Sequence, residues 1–284
     1  MTEEFPVLYV VATPIGNLGD VTQRAVEVLS SVKWIAAEDT RHSAPFLKRI
    51  GASARVFSLH AHNEEGAASR VLECLEKGES VALVSDAGTP AISDPGSRLV
   101  ARVRAAGFRV VPLPGACAAI AAFSAAGFAD ARFLFYGFLP PKAKAREEAL
   151  RSVSKIRCPL VFYEAPHRIL DAVEAMAAVF GEERPLVLAR ELTKVFETIH
   201  ACPLGEASAW LRADENRRRG EFVVLLGGAE MRVDLDESER VLRLLLDDGL
   251  PVRQAVKLAH AISGAGKKAL YERALVFRDQ ESGI

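Results

Sequence analysis

Val81-Ala-Leu-Val-Ser-Asp86-Ala-Gly88-Thr-Pro90-Ala-Ile92-Ser-Asp94-Pro-Gly96 runs from an apolar strand pattern straight into a loop of small residues, carboxylates and turn formers. Asp86 closes the strand and Gly88 and Pro90 restrict the backbone. Ser93-Asp94-Pro95 predicts a helix start, with a capping residue ahead of a proline in the first turn. Such a loop, at the carboxyl end of a strand, is where open α/β sheets bind ligands. The same grammar appears in Leu8-Tyr-Val-Val-Ala-Thr13-Pro14-Ile-Gly16-Asn17-Leu-Gly19-Asp20, with a helix expected from near Asp20. Neither loop has the spaced glycines of a dinucleotide fold or a phosphate loop ending in Gly-Lys-Ser/Thr, so a nucleotide-phosphate site lacks its mechanical parts.

Working outward, strand patterns at 7–12, 34–37, 55–59, 80–85 and 109–113 alternate with helical patterns at 21–31, 40–50, 64–77 and 96–106. That alternation predicts a largely parallel sheet covered by helices. A helical segment over 114–127 leads to a second α/β set, with strands near 133–137, 160–163, 186–190 and 222–226 and helices near 144–154, 167–180 and 205–213. From Asp234 onward, Leu-rich helical segments at 237–248, 252–262 and 267–277 are separated by glycine turns. They predict a small helical bundle whose short turns are like those of a helix-turn-helix, a geometry shared with hairpins that merely pack. The expected domains are 1–115, 116–230 and 231–284.

The chain has 284 residues, half of them hydrophobic, and a net charge of −1. It is long enough for two domains with real cores, and its charge argues against indiscriminate coating of nucleic acid. No apolar run reaches the roughly 18 residues needed to span a bilayer. The first residues lack the basic start and apolar stretch of a signal peptide, so a cytoplasmic location is expected. Cys74, Cys117, Cys158 and Cys202 are widely spread, which suggests neither a zinc knuckle nor a disulfide framework. Charge is uneven all the same: 132–168 holds eight Lys/Arg against three acids. That stretch suits RNA phosphates, or it is the solvated start of a helix over Lys142, Lys144 and Arg146.

Four expected strand ends carry polar clusters: Glu38-Asp39-Thr40-Arg41-His42, His60-Ala-His62-Asn63-Glu64, Glu164-Ala-Pro166-His167-Arg168 and Arg190-Glu191-Leu-Thr193-Lys194. Helix capping accounts for Asp39-Thr40 and Asn63-Glu64; it does not account for the neighbouring Arg and His residues. Gathered on one sheet edge, these groups outline an active site. His60 and His62 would share a strand face, but no third ligand at a telling spacing accompanies them, so no metal is expected. A base, an arginine and a carboxylate in one cleft suit attack by a weak nucleophile such as a ribose hydroxyl. No Gly-x-Ser-x-Gly elbow or Ser-His-Asp order competes.

Seven segments together resemble the tetrapyrrole methylase superfamily, in its branch acting on small-subunit ribosomal RNA. They are Ala12-Thr-Pro-Ile-Gly-Asn-Leu-Gly-Asp20, Glu38-Asp-Thr-Arg41, His62-Asn-Glu64, Ser85 to Gly96, Pro114-Gly-Ala-Cys-Ala118, Phe162-Tyr-Glu-Ala-Pro-His-Arg168 and Ala189-Arg-Glu-Leu-Thr-Lys194. The resemblance spans nearly the whole chain. It implies a two-domain α/β fold with S-adenosylmethionine in a cleft between the domains, usually in a homodimer. It further implies methylation of the ribose 2′-oxygen of a cytidine in the decoding region of 16S rRNA. Carried over by position, the cofactor contacts are Pro14, Asp86, Gly88, Ile92, Ser93, Cys117, Ala118, Tyr163, Glu164, Glu221 and Phe222. The family often has Ser or Thr where this chain has Cys117. Glu38, Asp39, His62 and Glu64 are candidate bases, with Arg41, Arg168, Arg190 and Lys194 positioning phosphates or polarising the nucleophile. A sulfonium cofactor has no phosphate and needs no helix-terminus cradle. The alternatives are a methylase acting on a tetrapyrrole carbon, whose loops are shared, and a non-catalytic RNA-binding module using the basic stretch.

Overall fold

A computed structural model describes residues 5–60, 63–229 and 235–281. The chain divides into two compact units, one extending to Ala229 and the other beginning at Glu230.

The first half of the large unit is a regular β/α alternation. In chain order it contains β1 (Val7–Val11), α1 (Gln23–Ser31), β2 (Trp34–Ala37), α2 (Thr40–Arg49), β3 (Arg55–Ser58), α3 (Glu64–Glu76), β4 (Val81–Val84), α4 (Ser97–Ala105) and β5 (Arg109–Leu113). The five strands form one sheet in the order β3-β2-β4-β1-β5, and every pairing is parallel. Both faces of the sheet are covered, so its central strand is apolar throughout. Val81 and Leu83 enter one core with Leu8 and Leu99, while Ala82 and Val84 enter the other with Val11, Leu29 and Ile35. Each fully buried Leu or Ile contributes about 2 kcal/mol of transfer free energy. β4 and β1 lie side by side, yet the chain leaves β1 toward β2 and leaves β4 toward β5. Their carboxyl ends therefore flank the crevice where connections diverge, which is the ligand position of open α/β sheets.

After α5 (Ala118–Ala125) come β6 (Leu134–Phe138), α6 (Ala143–Val153), β7 (Leu160–Glu164), α7 (Ile169–Phe180), β8 (Pro185–Arg190), β9 (Thr198–Pro203), α8 (Leu204–Arg212) and β10 (Phe222–Leu226). This second sheet has the order β6-β7-β10-β8-β9. Only β6 and β7 run parallel. Phe222 pairs with both Glu164 and Arg190, so the start of β10 is held between the ends of β7 and β8. On one face of β10, Phe222, Val224 and Leu226 pack with α7 and α8; on the other, Val223 and Leu225 pack with α5. Ile15 and Cys117 join that second core, and this shared packing makes the two sheets one compact unit.

The structure differs from the expectations in three places. β9 has no counterpart among them. The helix expected from Pro95 starts at Ser97, with Gly96 at φ 129° as its capping position. Asp20 ends a short 3-10 turn, and α1 follows from a Thr22 cap. The small unit has α9 (Leu235–Asp247), α10 (Val252–Ser263) and α11 (Lys267–Glu281), packed around Leu242, Ala255, Ala259, Leu270 and Ala274. Among the described residues, no helix is long and apolar enough to cross a membrane.

Candidate functional site

The loop after β4 is held from several sides. Thr13 and Gly88 exchange two backbone hydrogen bonds of 2.8 and 3.0 Å, tying the loop after β1 to the loop after β4. Thr89 Oγ1 donates to the Ala116 carbonyl at 3.0 Å, which adds the segment leading into α5. A Cβ on Gly16 would lie 2.5 Å from Lys194 Cγ, so the β1 loop presses on the loop after β8 and has room only for glycine. Ser93 Oγ would lie 2.8 Å from a Cβ on Gly137, whose φ of +83° belongs to the irregularity in β6. Ala91, Ser93, Glu191 and Thr193 all have positive φ, and such strain gathers at ligand-holding loops.

These loops enclose a cavity of about 380 Å³. Nine of the expected cofactor residues line it: Asp86, Gly88, Ile92, Cys117, Ala118, Tyr163, Glu164, Glu221 and Phe222, together with the candidate Lys194. Pro14 and Ser93 are not on the wall; their neighbours Ile15 and Ile92 are. Asp86 accepts the Asp39 N–H at 3.0 Å. The Tyr163 hydroxyl accepts the Ala119 N–H at 3.1 Å, satisfying the start of α5 where Cys117 makes no capping bond, and burial pushes its pKa up. Glu164 is buried, which raises its pKa despite the adjacent Ala165 amide and Arg168. Its Oε2 has no hydrogen-bond partner. Lys194 bridges Glu191 and Glu221 at 2.9 and 3.1 Å.

The tetrapyrrole (corrin/porphyrin) methylase model matches residues 7–208, more than two thirds of the chain. The chain belongs to the tetrapyrrole methylase family. A model described as the RsmI C-terminal HTH domain matches residues 232–278, over the small unit. Curated relatives include the ribosomal RNA small subunit methyltransferase I proteins of Escherichia coli O157:H7 and Vibrio cholerae. They are 53% and 49% identical to this chain; each alignment spans 94% of the chain and, respectively, 94% and 93% of the relative. Two solved structures share the fold at 16% identity. A cobalt precorrin-4 methyltransferase aligns over 80% of this chain and 97% of its own with a TM-score of 0.60. The uroporphyrin-III C-methyltransferase of Thermus thermophilus, in complex with S-adenosylhomocysteine, aligns over 78% and 97% with a TM-score of 0.54.

Several other candidates in this tetrapyrrole methylase are engaged in holding the fold. Glu64 is buried, and its Oε1 accepts the amides of Gly96, Arg98 and Leu99 at 3.0 to 3.3 Å. The carboxylate of α3 thus caps α4, which has no cap of its own. Asp39 caps α2 through the Arg41 amide and pairs with the exposed Arg41 guanidinium at 3.2 Å. Arg190 is buried and donates to the carbonyls of Asn216, Arg219 and Phe196. Arg168 pairs with Glu164 at 3.2 Å and donates to the Leu139 carbonyl. Arg146, read as part of a basic surface, is instead buried against Asp171 at 3.7 Å, because its position on α6 faces α7. His62 lies outside the described residues.

In sequence, Asp94 has the position of a helix-capping residue ahead of Pro95. Asp94 lines the cavity, and burial, reinforced by the negative charges of Glu38 and Asp86, pushes its pKa up to about 6. Glu38 is raised by burial and, to a lesser degree, by Asp86. Three carboxylates converging across β2 and β4 were the available signal, but their convergence depends on strand order. Because Gly137 lies against Ser93 just behind this wall, Gly137→Ala is expected to cost about 1–3 kcal/mol through its positive φ alone. The displaced Ser93 should weaken cofactor binding by about tenfold, equivalent to about 1.4 kcal/mol, measured by calorimetry with S-adenosylmethionine. Unchanged affinity would detach this loop from cofactor binding.

Proposed function

We propose that this tetrapyrrole methylase transfers a methyl group from S-adenosylmethionine to the ribose 2′-oxygen of a cytidine in the decoding region of 16S rRNA, on the small ribosomal subunit. In this reading it works in the cytoplasm as a homodimer. The observation that carries the proposal is a single cavity walled by loops from both sheets, in a chain about half identical to rRNA methyltransferases over nearly its full length.

The residues present suit the cofactor. The volume falls in the range of small-molecule sites. Asp86, Asp94, Glu164 and Glu221 share a partly apolar wall with a single lysine, Lys194, an excess of carboxylate that favours a cationic ligand. The unpartnered Glu164 oxygen leaves a buried acceptor open to a ligand donor. Asp86, Gly88, Ile92, Cys117, Ala118, Tyr163, Glu164, Glu221 and Phe222 would hold the cofactor, with Pro14 and Ser93 supporting the loops from behind. Bound there, S-adenosylmethionine supplies a methyl carbon made electrophilic by its sulfonium.

The chain contributes orientation and proton transfer. Interlocked loops fix the donor pocket before substrate arrives, and positioning of this kind supplies several kcal/mol. Asp94, with a pKa of about 6, is ionised at neutral pH and only moderately weak as a base, which suits acceptance of the hydroxyl proton. Lys194, pinned by two carboxylates, presents a fixed positive charge to the developing alkoxide. Exposed Ile92 and Phe138 at the rim give an incoming nucleoside an apolar surface. Small subunits lacking this methylation, incubated with methyl-labelled S-adenosylmethionine and the protein, should acquire label on one cytidine ribose. Label confined to a base would contradict the 2′-oxygen assignment, and label on a uroporphyrinogen but never on RNA would favour the tetrapyrrole alternative.

A further inference from the structure

A second cavity, of about 290 Å³, is lined by Pro166, His167, Leu170, Glu215, Arg218 and Arg219. We propose that it seats a phosphodiester of the RNA substrate beside the methyl-transfer cavity. The inference rests on the RNA-methylation reading and assigns a subsite to it.

Two short segments separate the cavities. Pro166 lines both, with Glu164 and Ala165 on the cofactor side and His167 on the other. Across from it, only Gly220 stands between Arg219, which faces the second cavity, and Glu221, which faces the first. Residues two apart in a chain lie within about 7 Å at their Cα atoms. A ribose whose 2′-hydroxyl enters the cofactor cavity carries its phosphates within one nucleotide of that point, so a phosphate seat belongs at this distance.

The chemistry of the second cavity is that of anion recognition. Three consecutive arginines follow Asn216, and they divide. Arg217 stacks over Trp210 at 4.8 Å and donates to its carbonyl at 3.1 Å. Arg218 and Arg219 turn into the cavity. The carboxylate nearest Arg218 is Glu215, at a loose 3.8 Å, and Arg218 Nε is buried without a hydrogen-bond partner. Among the described residues no carboxylate pairs with Arg219. Guanidinium groups match phosphate oxygens through paired N–H donors, and Leu170 offers the attached sugar an apolar contact. The turn is also fixed in advance. Buried Arg190 grips the Asn216 and Arg219 carbonyls at 2.9 and 3.0 Å, so little ordering remains when an anion binds. On this account Arg190 is a positioning residue for the two arginines after it.

The test compares R218A/R219A, R218K/R219K and the unmodified protein on undermethylated small subunits over a range of salt. The alanine pair should raise KM at least tenfold, with kcat and S-adenosylmethionine affinity within about twofold of normal. Loss of one neutralised phosphate should flatten the slope of log affinity against log salt by about 0.7. The lysine pair should restore the slope, because it keeps both charges. The single variant R219E, at an exposed position, should raise KM in the same direction. Normal KM and salt slope in the alanine pair and in R219E would overturn the subsite while leaving RNA methylation standing. Absence of label on RNA from the unmodified protein would overturn the underlying reading and the subsite with it.

Discussion

Replacement of Asp94 by Asn is expected to lower kcat/KM for RNA methylation by about 100-fold, or about 2.7 kcal/mol, within the usual range for loss of a general base. The substitution keeps the size of the side chain and removes its ability to take a proton. In the unmodified protein the acid limb of the rate profile should bend near pH 6, where the raised Asp94 carboxyl gains its proton and ceases to accept another. In Asp94→Asn that bend should disappear. Stability should move the opposite way. A carboxyl whose pKa is raised on folding holds its proton more tightly in the native state. Its stabilising contribution is therefore complete below about pH 4 and lost as pH rises through about 6. The amide side chain of Asp94→Asn has no charge to desolvate, so this variant should be at least as stable as the parent at pH 8. A fall in activity accompanied by unfolding at pH 8 would contradict the assignment.

Glu64→Ala should produce the largest loss of stability of any single substitution considered. The carboxylate satisfies three amides at the start of α4, two of them buried, from a position 32 residues earlier in the chain. Charge-assisted bonds of this kind contribute about 1.5–3 kcal/mol each before overlap, and a net cost of about 3 kcal/mol is expected for the set. For a unit of this size that lowers the midpoint of thermal unfolding by about 6–12 °C. Gly96 ends the Asp86–Gly96 loop, so cofactor affinity should fall as well. Glu64→Gln keeps an acceptor and should lose about half as much stability, with kcat within about threefold of normal if the residue is a cap. A collapse of kcat in stable Glu64→Gln would make it the base instead.

The β/α alternation of the first half was legible because strand and helix differ in period. Trp34–Ala37 and Arg109–Leu113 have in the structure the bounds their sequence pattern indicates. Thr198–Pro203 escaped notice because it is an edge strand. Its residues alternate between half-buried and exposed, His200 stacks on Trp210, and no apolar stripe marks it. The loops after β1 and β4 were legible through their glycine, proline and carboxylate pattern, and nine of the eleven positions expected to touch the cofactor line one cavity. Polar residues were harder. In sequence Arg146 looks like a surface cation and Arg190 like a group that positions phosphate, and both are buried staples in the structure, since only packing against α7 or against two carbonyl-bearing turns distinguishes them. The role of Glu64 depends on α3 lying against α4, and the raised pKa of Asp94 on β2 lying beside β4; local patterns encode neither.

The most direct test is a crystal of the protein grown with S-adenosylhomocysteine. The account predicts the ligand in the cavity between the two sheets, touching the Asp86–Asp94 loop on one side and Tyr163, Glu164 and Phe222 on the other. A ligand bound elsewhere, or held by residues of one sheet alone, would contradict it.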